Sequence, residues 1–164
     1  FPPGPFTRAF AIAREGGLRA APHAGEMAGP VSIRGALDDL GAQRLRHGVR
    51  AVEDAALLEE LAERGVVCDV TPVSNLRTGV VRSLDEHPLP ALLQAGVRCS
   101  IGSDDPVLMR TSLTADSDVA VRLGHTPRAM YEHALAGAFC DGRTRARLAA
   151  AGAAFDWDTA LSVP

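Results

Sequence analysis

The sequence predicts an α/β chain built on a parallel sheet, and three observations carry that prediction. Four short apolar runs alternate with helical stripes, each unit closed by a glycine and joined by a few residues, which is the pattern of strands that all run one way. Each run ends in histidine, carboxylate or hydroxyl groups, as strands do when their C-terminal ends share one reactive face. No GxGxxG or GxxxxGK[ST] loop follows any run. That absence removes the commonest reason for a doubly wound sheet and leaves half of a (β/α)8 barrel as the expected architecture, with the 164 residues read as one domain.

In chain order, Phe1-Pro2-Pro3-Gly4-Pro5 reads as a loop entering a helix, with Pro5 suited to the first turn. Phe6, Ala9, Phe10 and Ala13 recur at helical spacing until Gly16-Gly17. Leu18, Ala20 and Ala21 form a short buried strand ending at His23, and the glycine at 25 turns the chain so that Glu26 faces the same cavity. After Pro30, the stripe Ile33, Leu37, Leu40 is a helix stopped by Gly41, and Gln43 to His47 is a second strand. Asp54 to Arg64 is a helix with Leu57, Leu58 and Leu61 on one face, and Val66 to Val70 is the third strand, followed by a polar loop, Thr71 to Asn75. Leu89 to Gln94 is a helix, and Val97 to Ile101 is the fourth strand, running into Gly102-Ser103-Asp104-Asp105-Pro106. Asp116 to Leu123, Pro127 to Ala138 and Arg143 to Ala151 are helical, and Trp157 with the residues after it reads as a loosely held end.

Composition excludes several classes. A net charge of -3 argues against a general nucleic-acid binder, which needs a concentrated basic surface. No apolar run approaches the roughly 20 residues of a membrane span. Cys68, Cys99 and Cys140 are odd in number and lack CxxC spacing, so neither a disulfide framework nor a cysteine zinc site is expected, and a reducing cytoplasm fits. The chain starts at Phe1 without a basic-then-apolar leader, so no secretory signal is expected.

The groups at the strand ends are His23 and Glu26, then His47, then Ser74 and Asn75, then Asp104 and Asp105. In a barrel these converge on one pocket. Histidine nitrogen and carboxylate oxygen suit Zn²⁺, whose bound water is acidified toward pH 7 and becomes a nucleophile, while a second histidine and a glutamate manage protons. The inventory is that of a metal-assisted hydrolase. Asp104-Asp105-Pro106 has a second reading as a turn and helix-capping cluster, His87-Pro88 reads as structural, and His125 and His133 read as solvated or packing histidines.

The set His23-Ala24-Gly25-Glu26, Arg44-Leu45-Arg46-His47-Gly48, Pro72-Val73-Ser74-Asn75, His87-Pro88 and Ser103-Asp104-Asp105-Pro106, in this order and at these gaps, resembles the C-terminal half of the adenosine deaminase family. The resemblance is close from about Phe6 to Leu113 and looser beyond. It implies that residues 1–164 are strands 5 to 8 of a (β/α)8 TIM-type barrel with their following helices, and that the N-terminal half is absent from this chain. It implies that His23 and Asp104 are zinc ligands, that Glu26 protonates purine N1, that His47 orients and helps deprotonate the water, and that Asp105 hydrogen-bonds purine N7. The reaction implied is hydrolytic deamination at C6 of an adenosine-like 6-aminopurine compound, releasing ammonia.

The sequence also departs from the family. The His-x-His pair that supplies two further zinc ligands is nowhere in it, so the chain alone is not expected to be a competent deaminase, and the missing half or a companion chain is the expected partner. A half-barrel would expose strand edges, and an inert half-barrel that binds a nucleoside or a protein is the alternative expectation. A metal hydrolase of the same superfamily acting on a non-purine amide or amine is a third. Arg46 stands where the family usually has glycine, either beside the pocket, where it blocks or binds a substituent, or on the outside of the barrel. Thr71 holds a position often taken by cysteine.

Overall fold

The computed structural model describes residues 2–157. Its sheet has four parallel strands in sequence order, β1 (His23–Ala24), β2 (Arg44–His47), β3 (Val67–Val70) and β4 (Arg98–Ile101). The register runs His23 beside Arg46, Arg46 beside Asp69, and Asp69 beside Ser100, so these four residues form one row across the sheet. Around it lie α1 (Thr7–Glu15), α2 (Pro30–Asp38), α3 (Ala55–Glu63), α4 (Pro72–Arg77), α5 (Leu89–Gln94), α6 (Leu113–Arg122), α7 (Pro127–Ala136) and α8 (Gly142–Ala154).

The core sits between one face of the sheet and the helices. Leu45, Cys68, Val70 and Cys99 pack with Ile33 and Leu37 of α2, Leu57 and Leu61 of α3, and Leu89 and Leu92 of α5. These are the stripes that the helical spacing marks out, and their burial is the main force holding helices to strands. Helix starts are capped locally: Asp54 accepts from Leu57 N, Ser112 from Ala115 N, Thr126 from Ala129 N and Asp141 from Thr144 N. Burial pushes the Cys68 thiol up to about 12, so it is an inert core group.

Three expectations need correction. The first strand does not begin at Leu18, which is exposed; strand pairing is confined to His23–Ala24. The segment before it still runs alongside β2, with Gln43 N donating to Ala20 O (3.0 Å) and Arg46 N to Pro22 O (2.9 Å). Pro22 has no N–H to return, which shortens the ladder. Second, the polar loop after β3 is the helix α4. Pro72 at its first position pre-sets φ. Third, Trp157 is anchored: its indole N–H donates to Gly152 O (2.8 Å) and its ring packs on Tyr131 and Phe155. The tail after Trp157 lies outside the described residues. No helix among them is long and apolar enough to cross a membrane.

His125 and His133 serve the outer edge of β4. Nε2 of His125 lies 2.8 Å from Cys99 O, and Cys99 N donates to Nδ1 of His133 at 3.1 Å. Burial lowers the proton affinity of both rings.

Candidate metal and catalytic site

Parallel strands deliver their C-terminal ends to one side of the sheet, and there His23, Glu26 and His47 come together. One ligand atom from each lies within 4.8 Å of the others, a spacing that suits a shared metal ion. The His23 and His47 rings meet edge to face with centroids 5.2 Å apart, and Nε2 of His47 stands 3.6 Å from Oε2 of Glu26.

Local backbone geometry puts them there. Gly25, at φ +66°, turns the chain straight after β1, and its N–H donates to Ser32 Oγ at the start of α2 (2.9 Å). A Cβ at position 25 would lie 2.4 Å from Ile33 Cδ1 and 3.2 Å from Gly48 Cα, so the two strand ends pass too closely for a side chain. His47 itself has φ +72°, an uncommon conformation for a non-glycine residue. Strand alternation would send Arg46 and His47 to opposite faces. Arg46 shares the row of His23 by register, and the left-handed turn at His47 gives that ring a different direction from plain alternation. Asp104, at φ +56°, is strained in the same way.

His47 is almost fully buried, and burial lowers its proton affinity, partly offset by the negative charges of Glu26 and Asp104. The ring is therefore neutral near pH 7, with Nδ1 in contact with Thr71 Oγ1 at 3.2 Å and Nε2 facing Glu26. A neutral imidazole can take up a proton or bind a metal.

Asp104 lies outside that trio. One carboxylate oxygen accepts the Ser74 hydroxyl (2.8 Å), and the other is 3.7 Å from Nη2 of Arg46. Arg46 thus faces the site, which resolves the two directions the sequence left open. Asp105 is exposed, and its Oδ1 accepts from Val107 N (3.1 Å) and Leu108 N (2.9 Å), the turn-capping geometry. Asn75 is buried in a bond between its Oδ1 and Nε2 of His87 (3.2 Å), while Leu89 N donates to Nδ1 of the same ring (3.1 Å). His87 is thus a structural bridge between α4 and α5.

Two groups escaped the sequence reading. Asp116, fully buried in α6, accepts from Val73 N (2.9 Å) and Thr111 Oγ1 (2.9 Å) and so fixes α4 over the site. Below the site, Arg44 grips both oxygens of Asp69, and Ser100 donates to the same carboxylate. The signal for this second group was present: a lone aspartate in the run Val66-Val67-Cys68-Asp69-Val70. A charge in a buried strand has to be paired within the fold.

Comparison with known proteins finds similar chains and similar folds. The family model described as adenosine deaminase matches residues 1–151. An aminodeoxyfutalosine deaminase from Acidothermus cellulolyticus is 42% identical over 161 residues, 94% of this chain and 45% of its own length. An adenine deaminase from Sinorhizobium fredii is 45% identical over 150 residues, 89% of this chain and 46% of its own. Among solved structures, the adenine deaminase of Arthrobacter aurescens superposes with a TM-score of 0.87 at 31% identity, covering 93% of this chain and 48% of that one. An amidohydrolase from Burkholderia ambifaria solved with bound Zn gives 0.84 at 29% identity, covering 93% and 44%. The chain spans under half the length of each of these relatives. With its parallel α/β architecture and its strand-end histidines and carboxylates, it belongs to the adenosine deaminase family.

Proposed function

We propose that this chain carries the zinc-binding, proton-transferring half of an aminohydrolase that removes the C6 amino group of a 6-aminopurine compound as ammonia. The observation that carries the reading is the convergence of His23, Glu26 and His47 at adjacent strand ends in a chain of this family. Strands β1 to β4 then stand as the fifth to eighth of the full barrel, and a further polypeptide segment supplies the other four and the remaining metal ligands.

An imidazole from His23 and a carboxylate from Asp104 are donor types zinc prefers, so the residues fit the ion. Zinc bound there supplies a water acidified toward pH 7 as the nucleophile. His23 holds the metal, with Asp104 as the second ligand from this chain. His47, neutral and steadied by Thr71, accepts the proton of the attacking water. Glu26 donates a proton to the purine ring nitrogen, which makes C6 electrophilic, and Asp105 hydrogen-bonds the purine at N7.

The reading is tested in a polypeptide that joins this chain to the N-terminal half of the Sinorhizobium fredii adenine deaminase. Glu26→Gln is expected to abolish ammonia release while the zinc content stays at that of the parent. Loss of zinc from the same change would make Glu26 a ligand instead of an acid, and a parent without zinc or turnover would leave an inert half-barrel that binds a nucleoside or a protein.

A further inference from the structure

Arg46 is a cation of this site that no carboxylate among the described residues meets within hydrogen-bond distance. Its neighbours in the sheet row are His23 and Asp69. Asp69 is already taken, because Arg44 holds it through Nε at 2.9 and 2.8 Å and through Nη2 at 2.5 Å, and Ser100 donates to it as well. Arg46 is left with Asp104, at ion-pair distance (3.7 Å) but beyond a hydrogen bond, and its Nε is buried with no acceptor. A fixed positive charge therefore stands beside His23 and reaches Asp104, the two residues assigned to the metal.

We propose that Arg46 is a resident cation that a metal ion must displace. Uptake of zinc draws Asp104 away from Arg46, so the arginine sets how tightly the site holds metal. The inference rests on the metal reading given above. Both ions are positive, so they compete for one carboxylate and repel each other across a half-buried space where solvent screens weakly. Arg46 is a positioning residue: it acts on the metal through Asp104.

The test is zinc affinity of the polypeptide that joins this chain to the N-terminal half of the Sinorhizobium fredii adenine deaminase, measured by competition with a chromophoric chelator. Arg46→Gln keeps the length of the side chain and removes its charge, and is expected to tighten zinc binding about 10- to 100-fold, the range in which outer groups tune metal sites. Arg46→Lys keeps the charge and is expected to stay near the parent. In an Asp104→Asn background the Arg46→Gln effect is expected to shrink, since the carboxylate they compete for is gone. Should the variants not fold, the parent still decides the matter: zinc titration is expected to shift the Arg46 Nε–H resonance in its NMR spectrum. Unchanged or weaker affinity in Arg46→Gln, or an unmoved Arg46 resonance with zinc bound, overturns the inference and leaves the metal reading standing. Absence of zinc binding in parent and variants alike overturns both.

Discussion

The Thr71 hydroxyl lies 3.2 Å from Nδ1 of His47 and caps no helix, although Thr71 stands at the N-cap of α4. An N-cap threonine ordinarily accepts from the backbone two or three residues on. Here the hydroxyl is given to the buried imidazole, and the free N–H of Val73 is satisfied by Asp116 from α6. The start of α4, the orientation of His47 and the position of α6 are thereby one linked arrangement.

Thr71→Val keeps the shape of the side chain and removes its hydroxyl. The buried His47 Nδ1 then loses its partner, at a cost of about 1–3 kcal/mol. Urea unfolding at pH 7 checks this. Asp116→Ala is expected to cost a similar amount through a different route, the loss of bonds to Val73 N and Thr111 Oγ1.

Gly48→Ala tests the close passage behind the site. Gly48 has φ +70°, and an added Cβ would lie 2.6 Å from Cys68 Sγ. The left-handed backbone alone costs roughly 1–2 kcal/mol, and the contact adds to it. The expected result is a variant more than 2 kcal/mol less stable (a rough sum of the two terms) by denaturant midpoint. A stability equal to the parent would mean that the strand ends lie farther apart than described.

Asp69→Ala removes the carboxylate that Arg44 holds with both oxygens. Arg44 is half-buried and keeps its bond to Gly137 O (2.9 Å), so losing the carboxylate costs less than the roughly 3–5 kcal/mol of a fully buried pair broken on one side. A thermal melt is expected to show a lowered midpoint. Replacing Arg44 and Asp69 together by Met and Leu is expected to recover much of it, because the charge to be compensated is then gone.

The pH dependence follows from His87. Burial lowers its pKa to about 4, against 6.5 for the free side chain. In the fold Nδ1 accepts from Leu89 N, so the ring cannot take a second proton there without breaking that bond. The unfolded chain binds this proton more readily than the folded one. Stability is therefore fully present above pH 6.5 and is lost as pH falls from 6.5 toward 4, by on the order of 3 kcal/mol. His47, His125 and His133, whose proton affinities are also lowered, add in the same direction. Urea titrations at pH 7, 5.5 and 4.5 are expected to show a falling midpoint, with a shallower fall in His87→Gln.

How far the sequence could be read depended on whether the determining contacts were local. Strands β2, β3 and β4 were legible because an apolar run bounded by glycine marks a buried strand wherever its partner lies. The start of β1 was not, since pairing alone decides where an apolar run becomes ladder, and Leu18 stays outside it. α4 was hidden because Pro72-Val73-Ser74-Asn75 has the composition of a turn, and the cap that makes it a helix comes from Asp116, far along the chain. In the site, His23, Glu26 and His47 were legible from their places at strand ends. The side to which Arg46 points was not, because it is set by the register that places Arg46 in one row with His23 and Asp69. Asp105 was named for the site and meets the structure as a turn cap; its own N–H neighbours, Val107 and Leu108, are what the alternative reading of that cluster implied.

The central claim is that these strand ends hold a metal-dependent deaminating site. Its most direct test is ammonia release from adenine and adenosine by the barrel completed with a relative's N-terminal half, before chelation, after it, and after zinc is restored. The account predicts turnover that disappears with the metal, returns with zinc, and is absent in His23→Ala throughout. Turnover that survives chelation, or that His23→Ala leaves intact, would contradict it.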